Sequence, residues 1–186
     1  MQTQKLDLSK VTISEKSQTI LDEAQKNLGF VPNMYKTMAG NTSLLDGYSY
    51  IYDSFRKNSG FTPVEQEVVL LSISYFNNCE YCMAAHSFIG DNMTNVPKEV
   101  TNAIRNGKTI PDDKLNALSV FTKAMTEKRG WASQEDVDAF FNAGYNEADV
   151  LGVVTGISVK TLSNYSNHLA QPELDETFAG RKWSKS

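Results

Sequence analysis

Helix start signals recur along this chain, whereas the alternation of apolar and polar residues that marks a β-strand is scarce. The most complete signal spans residues 62–65, where Thr-Pro-Val-Glu offers an N-cap, a proline at the first helical position and a glutamate that closes a capping box. Similar signals open at Ser133 and Asn146. The sequence therefore predicts an all-α, multihelical fold without a β-sheet.

Capping residues, glycines and the 3.6-residue apolar period together set the predicted helices. A buried helix covers 62–76, and Asn77-Asn78 interrupts the chain before a new helix begins near Cys79 and runs to Gly90. The other predicted helices are 17–28, 33–40, 42–57, one that opens at Pro97, one that opens at Pro111 and ends near Gly130, one that opens at Ser133, and one from Asn146 to about Ala170.

An internal repeat is visible at an offset of 84 residues. The helix start at 62–65 aligns with 146–149, and the Cys-Glu-Tyr-Cys of 79–82 aligns with the Ser-Asn-Tyr-Ser of 163–166. Sulfur is replaced by oxygen in the second copy, which indicates that only the first copy kept the chemistry. We predict a single helical domain over 1–186 with pseudo-repeat halves at about 33–95 and 112–172.

The composition is that of a globular domain and not of a nucleic-acid-binding or membrane protein. Of 186 residues, 40% are hydrophobic and 22% are charged, and the net charge is −4. No overall basic field attracts nucleic acid, and Arg181, Lys182 and Lys185 are predicted to form a solvated tail. No segment has the roughly 18 apolar residues that span a bilayer, and the amino terminus lacks a signal-peptide run. We therefore expect a cytoplasmic protein without a membrane partner.

Two cysteines are the only thiols in the chain, and they form a Cys-x-x-Cys pair, Cys79 and Cys82. Such a pair can close a disulfide within one helical turn, and in a reducing compartment it indicates redox, catalytic or metal-binding chemistry more than a permanent bridge. At a helix start, the free backbone N–H groups and the helix dipole favour the thiolate, so the pKa of one thiol should fall. The pair indicates a redox centre.

A histidine and a glutamate complete the constellation. His86 follows Cys82 by four residues, so their side chains share one face of a helix. Glu67 precedes Cys79 by twelve residues, which is about 18 Å on a straight helix. If the chain reverses at the two asparagines, Glu67 comes level with His86 and a carboxylate–imidazole–thiol relay forms. The glutamate would then fix the imidazole and favour its protonated form.

The pattern Glu-x(11)-Cys-x(2)-Cys-x(3)-His lies between the segments Gly29-Phe-Val-Pro-Asn33 and Tyr165-Ser-Asn-His168-Leu-Ala. Together these residues resemble the AhpD-like, carboxymuconolactone decarboxylase superfamily in its peroxidase-related branch, over about residues 25–175. The resemblance implies an all-helical fold with internal duplication, homo-oligomers and alkylhydroperoxidase activity, without a cofactor or a metal.

By the same resemblance, the site residues are Glu67, Cys79, Cys82 and His86. Cys82 is the peroxidatic thiol, Cys79 resolves its sulfenic acid to a disulfide, and Glu67 and His86 relay protons. The implied partners are a small-molecule peroxide and an external thiol or dithiol reductant. Some members carry a histidine between the cysteines, where this chain has Tyr81, which makes Tyr81 a secondary candidate.

Other interpretations stay open at this stage. Cys79, Cys82, His86 and His168 make a nominal Cys2His2 zinc set, although the spacing of Cys82 and His86 suits one helix face better than a compact finger. His168 is either a helix-end histidine or a secondary site residue. The alternative enzyme is a carboxymuconolactone decarboxylase-like lyase, which does not need the dithiol. The non-enzymatic alternative is a redox-responsive oligomeric protein.

Overall fold

The structure is a computed structural model, and it describes residues 5–185. Within those residues every regular element is a helix and none is a strand, so the predicted all-α fold is confirmed. A short 3-10 helix, Glu176–Arg181, follows the last α-helix. The α-helices are α1 (Glu15–Leu28), α2 (Asn33–Met38), α3 (Thr42–Asn58), α4 (Pro63–Phe76), α5 (Glu80–Asn92), α6 (Lys98–Arg105), α7 (Asp113–Glu127), α8 (Gln134–Asn142) and α9 (Glu147–Ala170).

The predicted helix boundaries agree with the observed ones to within three residues. The helix α1 begins at Glu15 and not at 17, because the Ser14 side chain caps it by accepting from the backbone N–H of Ser17. The helix α5 begins at Glu80, and Cys79 is its N-cap residue. The capping residues in the sequence therefore predicted the helix boundaries correctly.

Helix α4 is the centre of the molecule. Every residue from Val68 to Ser74 is buried, and the helix packs against α5, α6, α7 and α9. A helix that is apolar on nearly all sides can bury its surface only inside a bundle. Its start is held by the predicted capping box of Thr62 and Glu65. The helix α4 thus gives α5 and α9 a common support.

Helix α9 lies against α4 at short range because it has a glycine on its inner side. A Cβ atom built on Gly156 would stand 2.6 Å from Val69 Cγ1, closer than real side chains approach. This close packing carries the polar residues that follow on the same face of α9 into the interior. Those buried residues are Lys160, Ser163, Asn164 and Asn167.

The internal duplication and its division into halves stay predictions. Capping boxes are present at both Thr62 and Asn146. After those starts the two segments differ, because α9 continues without a break where the chain turns between α4 and α5.

The carboxy-terminal segment packs on the bundle, which corrects the expectation of a solvated basic tail. Phe178 and Trp183 are buried, and the 3-10 helix contacts α5. Arg181 is half-buried and forms an ion pair with Asp91 at 3.1 Å. The two lysines of the tail are exposed. The aromatic side chains of this segment gain more from burial than the tail gains from solvation.

No helix within residues 5–185 is long and apolar enough to cross a bilayer. Residues 1–4, part of the amino terminus whose sequence lacks a signal-peptide run, lie outside the described residues.

Candidate active site

The turn between α4 and α5 brings Glu67 and His86 together. Asn78 takes a left-handed backbone conformation with φ of 55°, which asparagine tolerates better than most residues. The backbone N–H of Cys79 donates to the carbonyl of Ser74 at 2.9 Å and closes the turn. The helix α5 then packs along α4, and His86 Nδ1 lies 2.9 Å from Glu67 Oε2.

Glu67 is fully buried and binds two basic side chains. One carboxylate oxygen contacts His86, and the other accepts a hydrogen bond of 2.5 Å from Arg56 Nη2 of α3. Arg56 also donates to the hydroxyl of Tyr52 at 2.8 Å. Burial opposes ionisation, but the contacts with His86 and Arg56 outweigh it and hold the pKa of Glu67 below its usual value. Glu67 is therefore a carboxylate with Arg56 as its counter-ion.

Cys79 and Cys82 are buried free thiols at the start of α5. Both lie in the first turn, where the backbone N–H groups lack intrahelical partners. From α9, Asn167 Nδ2 donates to Cys82 Sγ at 3.3 Å and lies 3.8 Å from Cys79 Sγ. The sulfur atoms therefore face hydrogen-bond donors from two helices.

The two thiols differ in acidity. Burial alone would raise the pKa of Cys82, but a hydrogen bond from the Cys79 thiol and the charge of Lys160 lower that pKa well below its usual value. The same hydrogen bond to Cys82, together with burial, raises the pKa of Cys79 well above normal. Cys82 is therefore the thiolate of the pair, and Cys79 keeps its proton.

Lys160 is a site residue that the sequence analysis missed. Its side chain enters from α9, is 0% exposed and lines the same cavity as Cys82 and His86. Within residues 5–185 its ammonium nitrogen has no oxygen or nitrogen hydrogen-bond partner, and it interacts with the Cys82 sulfur. A signal was available, because Lys160 follows Gly152 and Gly156 at four-residue spacing on the inner side of an apolar helix. Arg56 offered no such signal, since a basic residue in the last turn of a helix is ordinary.

His86 is neutral, which corrects the expectation that Glu67 keeps it protonated. Burial lowers the pKa of His86 and the charge of Lys160 lowers it further, and the contact with Glu67 does not compensate. Because Nδ1 faces a carboxylate, we assign the ring proton to Nδ1. This tautomer leaves Nε2 able to accept a proton.

The two secondary candidates, Tyr81 and His168, lie apart from the relay. The Tyr81 hydroxyl donates to Asp175 Oδ2 at 2.5 Å, so it ties the Cys-x-x-Cys segment to the carboxy-terminal segment. His168 is half-buried, and its ring lies 6.4 Å from that of Tyr165. His168 does not line the cavity, whereas its neighbour Asn167 reaches both sulfur atoms.

A cavity of about 810 Å³ opens beside Cys82. Its polar lining includes Cys82, His86, Arg56, Lys160 and Gln66, whereas Cys79 and Glu67 do not line it. The rest of the wall is mainly apolar and aromatic, and its rings belong to Phe30, Tyr35, Tyr48, Tyr52, Tyr81, Phe88 and Phe178. A small organic molecule that enters this cavity meets the more acidic thiol first.

No group of three or more His, Cys, Asp and Glu side chains that could hold a metal ion occurs in the part of the chain that the structure describes. The nominal zinc set is therefore not assembled. His168 packs on Tyr165 and not on the cysteines.

Solved structures share this fold over nearly the whole chain. An uncharacterized peroxidase-related protein of Silicibacter sp. TM1040 superposes with a TM-score of 0.81 at 20% identity, over 97% of this chain and 96% of that one. The alkylhydroperoxidase AhpD core of an uncharacterized peroxidase-related protein from Ralstonia eutropha JMP134 gives a TM-score of 0.79 at 20% identity, over 95% and 93% of the two chains. The chain therefore has the AhpD-like fold that the sequence resemblance implied.

An enzyme with a different named activity has a similar structure. The debrominase Bmp8 superposes with a TM-score of 0.70 at 17% identity, over 95% of this chain and 94% of that one. A cysteine-to-alanine variant of Bmp8 has been solved in complex with 2,3,4-tribromopyrrole. No family model matches this chain, and no curated protein matches it either.

Proposed function

We propose that this protein is a thiol-dependent peroxidase of the AhpD-like, peroxidase-related family, which reduces organic hydroperoxides or hydrogen peroxide through Cys82 and Cys79. One observation carries the proposal: the more acidic thiol, Cys82, lines the cavity, and the protonated thiol of Cys79 is hydrogen-bonded to it. The thiolate is the nucleophilic form of cysteine. The likeness to peroxidase-related structures supports the same activity.

The proposed reaction has three steps. The Cys82 thiolate attacks the terminal oxygen of the peroxide, the O–O bond breaks, and Cys82 becomes a sulfenic acid while the alkoxide takes a proton and leaves as the alcohol. The Cys79 thiol then attacks the sulfenic acid, so that an S–S bond forms and water leaves. An external thiol or dithiol finally reduces the disulfide and is itself oxidised.

His86 moves the protons in this scheme. Its Nδ1 is anchored on Glu67, and Nε2 can pass a proton from solvent to the leaving alkoxide and accept the proton of Cys79 when the disulfide forms. Glu67 cannot turn away from His86 because Arg56 holds its other oxygen. Assistance of this kind is worth about 10²–10⁴-fold in rate.

The experiment that tests the proposal is a titration of free thiols before and after one equivalent of cumene hydroperoxide. We expect the rapid loss of both thiols, with one equivalent of the alcohol formed. Cys82→Ser should abolish peroxide consumption, and Cys79→Ser should leave a sulfenic acid on Cys82 that dimedone traps. A sulfenic acid on Cys79 in the Cys82→Ser protein would reverse the two roles. Survival of both thiols in the parent protein would overturn the peroxidase.

A second candidate activity is the reductive dehalogenation of an aromatic compound. It is favoured by the aromatic rings that surround the cavity and by the structural likeness to a debrominase. In this reaction the carbon–bromine bond breaks, the carbon gains a proton, bromide leaves, and Cys79 and Cys82 supply two electrons by closing their disulfide. The dehalogenase would replace the peroxidase as the proposed function if 2,3,4-tribromopyrrole released bromide and oxidised both thiols, while peroxide left both thiols intact.

The other expectations stay proposals. We propose that the protein self-associates, because the outward side of α9 exposes Leu151, Val154, Tyr165 and Leu169. Light scattering should then give a mass above the 20.7 kDa of one chain, and a single-chain mass would contradict it. A cytoplasmic location without nucleic-acid or membrane partners is proposed likewise. A lyase would form no alcohol in the thiol titration, and a non-enzymatic redox protein would form at most one equivalent, without turnover when a thiol reductant is supplied.

A further inference from the structure

We propose that Lys160 is the counter-ion of the Cys82 thiolate, and that this ion pair makes the Cys79–Cys82 disulfide a stronger oxidant than it would be without the lysine. The inference rests on the proposed function only in that the two cysteines exchange between dithiol and disulfide. Lys160 acts through Cys82, so it is a positioning residue.

The first argument is that the buried ammonium needs an anion. Lys160 is 0% exposed, and its nitrogen has no oxygen or nitrogen hydrogen-bond partner within residues 5–185, whereas its interaction with Cys82 lowers the pKa of that thiol. An unpaired charge in a protein interior is costly. Glu67, the carboxylate of this cluster, pairs with Arg56 and His86, and within the described residues no ion pair joins it to Lys160. The anion left for Lys160 is the sulfur of Cys82, which lines the same cavity.

The second argument is a charge balance over the two redox states. In the dithiol state Arg56 is paired with Glu67, Lys160 is paired with the Cys82 thiolate, and the cluster is neutral. In the disulfide state Cys82 carries no charge, and Lys160 loses its counter-ion. The cost of burying the ammonium therefore falls mainly on the disulfide state.

This difference has a redox consequence. A reducing dithiol gives two electrons and two protons to the disulfide, of which one proton stays on Cys79 and one is released as Cys82 becomes a thiolate. Any interaction that favours the reduced state drives this exchange forward and makes the disulfide more oxidising. The pair would thus be recycled readily by a weakly reducing thiol.

The other ionisable groups around Cys82 do not replace Lys160. Burial lowers the pKa of His86 and raises the pKa of Tyr48 and Tyr52, so all three are neutral near neutral pH. The remaining groups of the cluster are Arg56 and Glu67, which pair with each other, Cys79, which keeps its proton, and Tyr81, which is hydrogen-bonded to Asp175.

The decisive variant is Lys160→Met, which keeps an unbranched stem and removes the charge. We expect the pH profile of Cys82 alkylation by iodoacetamide to move to higher pH by at least one unit, because an adjacent opposite charge shifts a pKa by about 1–3 units. The equilibrium with dithiothreitol should shift at least tenfold toward the protein disulfide, which is about 30 mV. Lys123→Met, which removes an exposed lysine on α7, is the control and should change neither quantity.

A second measurement excludes a packing effect. Lys160→Met should raise the midpoint of thermal unfolding more in the disulfide state than in the dithiol state, because only the disulfide state contains the unpaired ammonium. A change that is equal in both states, with an unchanged alkylation profile, would overturn the inference. Lys160→Arg, which restores the charge, should return the profile toward that of the parent.

The outcome separates this inference from the proposed function. If the parent protein consumes peroxide but Lys160→Met leaves the redox equilibrium unchanged, the proposed peroxidase function stands and the proposed counter-ion role of Lys160 is overturned. If the parent protein consumes no peroxide but Lys160→Met shifts the equilibrium with dithiothreitol tenfold, the counter-ion role of Lys160 stands and the proposed peroxidase function is overturned.

Discussion

Glu67 is held between two basic side chains inside the protein, and this arrangement makes it a structural residue as well as a candidate relay. Its side chain is 0% exposed, while that of Arg56 is 19% exposed. Removal of the carboxylate would leave the guanidinium partly buried with only Tyr52 and Gln66 as neutral partners. Loss of one partner of a buried ion pair costs more than the pair contributes, because the other charge stays desolvated.

The first prediction is that Glu67→Gln lowers both stability and activity. The free energy of unfolding should fall by about 3 kcal/mol, since an ion pair is broken from one side. Oxidation of Cys82 by peroxide should slow by about 10²-fold or more, because the imidazole loses the carboxylate that orients it. Denaturant unfolding and stopped-flow thiol loss measure the two effects.

Glu65→Gln is the matched control on the same helix. Glu65 is also buried, but it closes the capping box with Thr62 and accepts from the hydroxyl of Tyr145 at 3.0 Å, away from the cysteines. The Glu65→Gln protein should be less stable than the parent, but its thiols should be oxidised at nearly the same rate. Equal slowing in both variants would show that Glu67 acts only through stability.

The second prediction concerns the pH dependence of stability in the dithiol state. Between the lowered pKa of folded Cys82 and about 8.5 for an unfolded thiol, the unfolded chain binds one more proton than the folded chain. The free energy of unfolding should therefore rise with pH across this window, by about 1.4 kcal/mol per pH unit. Above about pH 8.5 the raised pKa of Cys79 makes the free energy of unfolding fall with pH, because the folded chain then holds one more proton than the unfolded chain.

Oxidation provides the comparison for this slope. The disulfide state has no titrating thiol, so the contribution of Cys82 is absent from its slope. His86 gives a slope of the same sign below about 6.5, where its unfolded imidazole gains a proton that the buried ring resists. Equal slopes for the dithiol and disulfide states between pH 7 and 8.5 would contradict a lowered pKa at Cys82.

At the scale of elements, the first and last residues of most helices could be predicted, because local capping residues determine where a helix begins and ends. Thr62, Ser133 and Asn146 each accept from a backbone N–H two or three residues later, as their sequence signals indicate. The contact between Glu67 and His86 could be predicted from one assumed turn. The position of Arg56 could not, because it depends on how α3 packs on α9, which no local signal encodes. Lys160 had a signal in its four-residue spacing after Gly152 and Gly156.

The third prediction tests the packing that brings Lys160 to the site. Gly156→Ala should lower the free energy of unfolding by about 1–2 kcal/mol, because its methyl group would stand 2.6 Å from Val69 Cγ1 and force α9 away from α4. Gly47→Ala on α3 is the control, since nothing lies within 4 Å of its added methyl group. That change should stabilise the protein by about 0.5–1 kcal/mol through helix propensity. A stabilised Gly156→Ala protein would contradict the close approach of the two helices.

At the scale of the whole molecule, the carboxy-terminal segment completes the cavity. Phe178 packs edge-on against Tyr81 at 6.2 Å and against Phe30 at 5.9 Å between ring centroids. Asp175 accepts from Tyr81 and from the backbone N–H of Asn33. The sequence did not predict this, because a short segment with three basic residues has the composition of a solvated tail.

The fourth prediction is that Phe178→Ala opens this wall. Stability should fall by about 3 kcal/mol, as for other buried phenylalanines, and a bulky maleimide should label Cys82 faster than it labels the parent protein. Trp131→Ala, which removes an aromatic ring that is 86% exposed, should change stability by less than about 0.5 kcal/mol and leave labelling unchanged. Unchanged labelling of Phe178→Ala would show that reagents reach Cys82 by another route.

The distribution of the site over the chain also has a consequence during synthesis. The cysteines lie near the middle of the chain, and Lys160 is made 78 residues after Cys82, which takes roughly 4–16 s at 5–20 residues per second. Until then the nascent chain carries two thiols of ordinary acidity that a peroxide oxidises slowly. A partly made chain is thereby spared premature oxidation, and reactivity begins only when α9 has folded onto the nascent bundle.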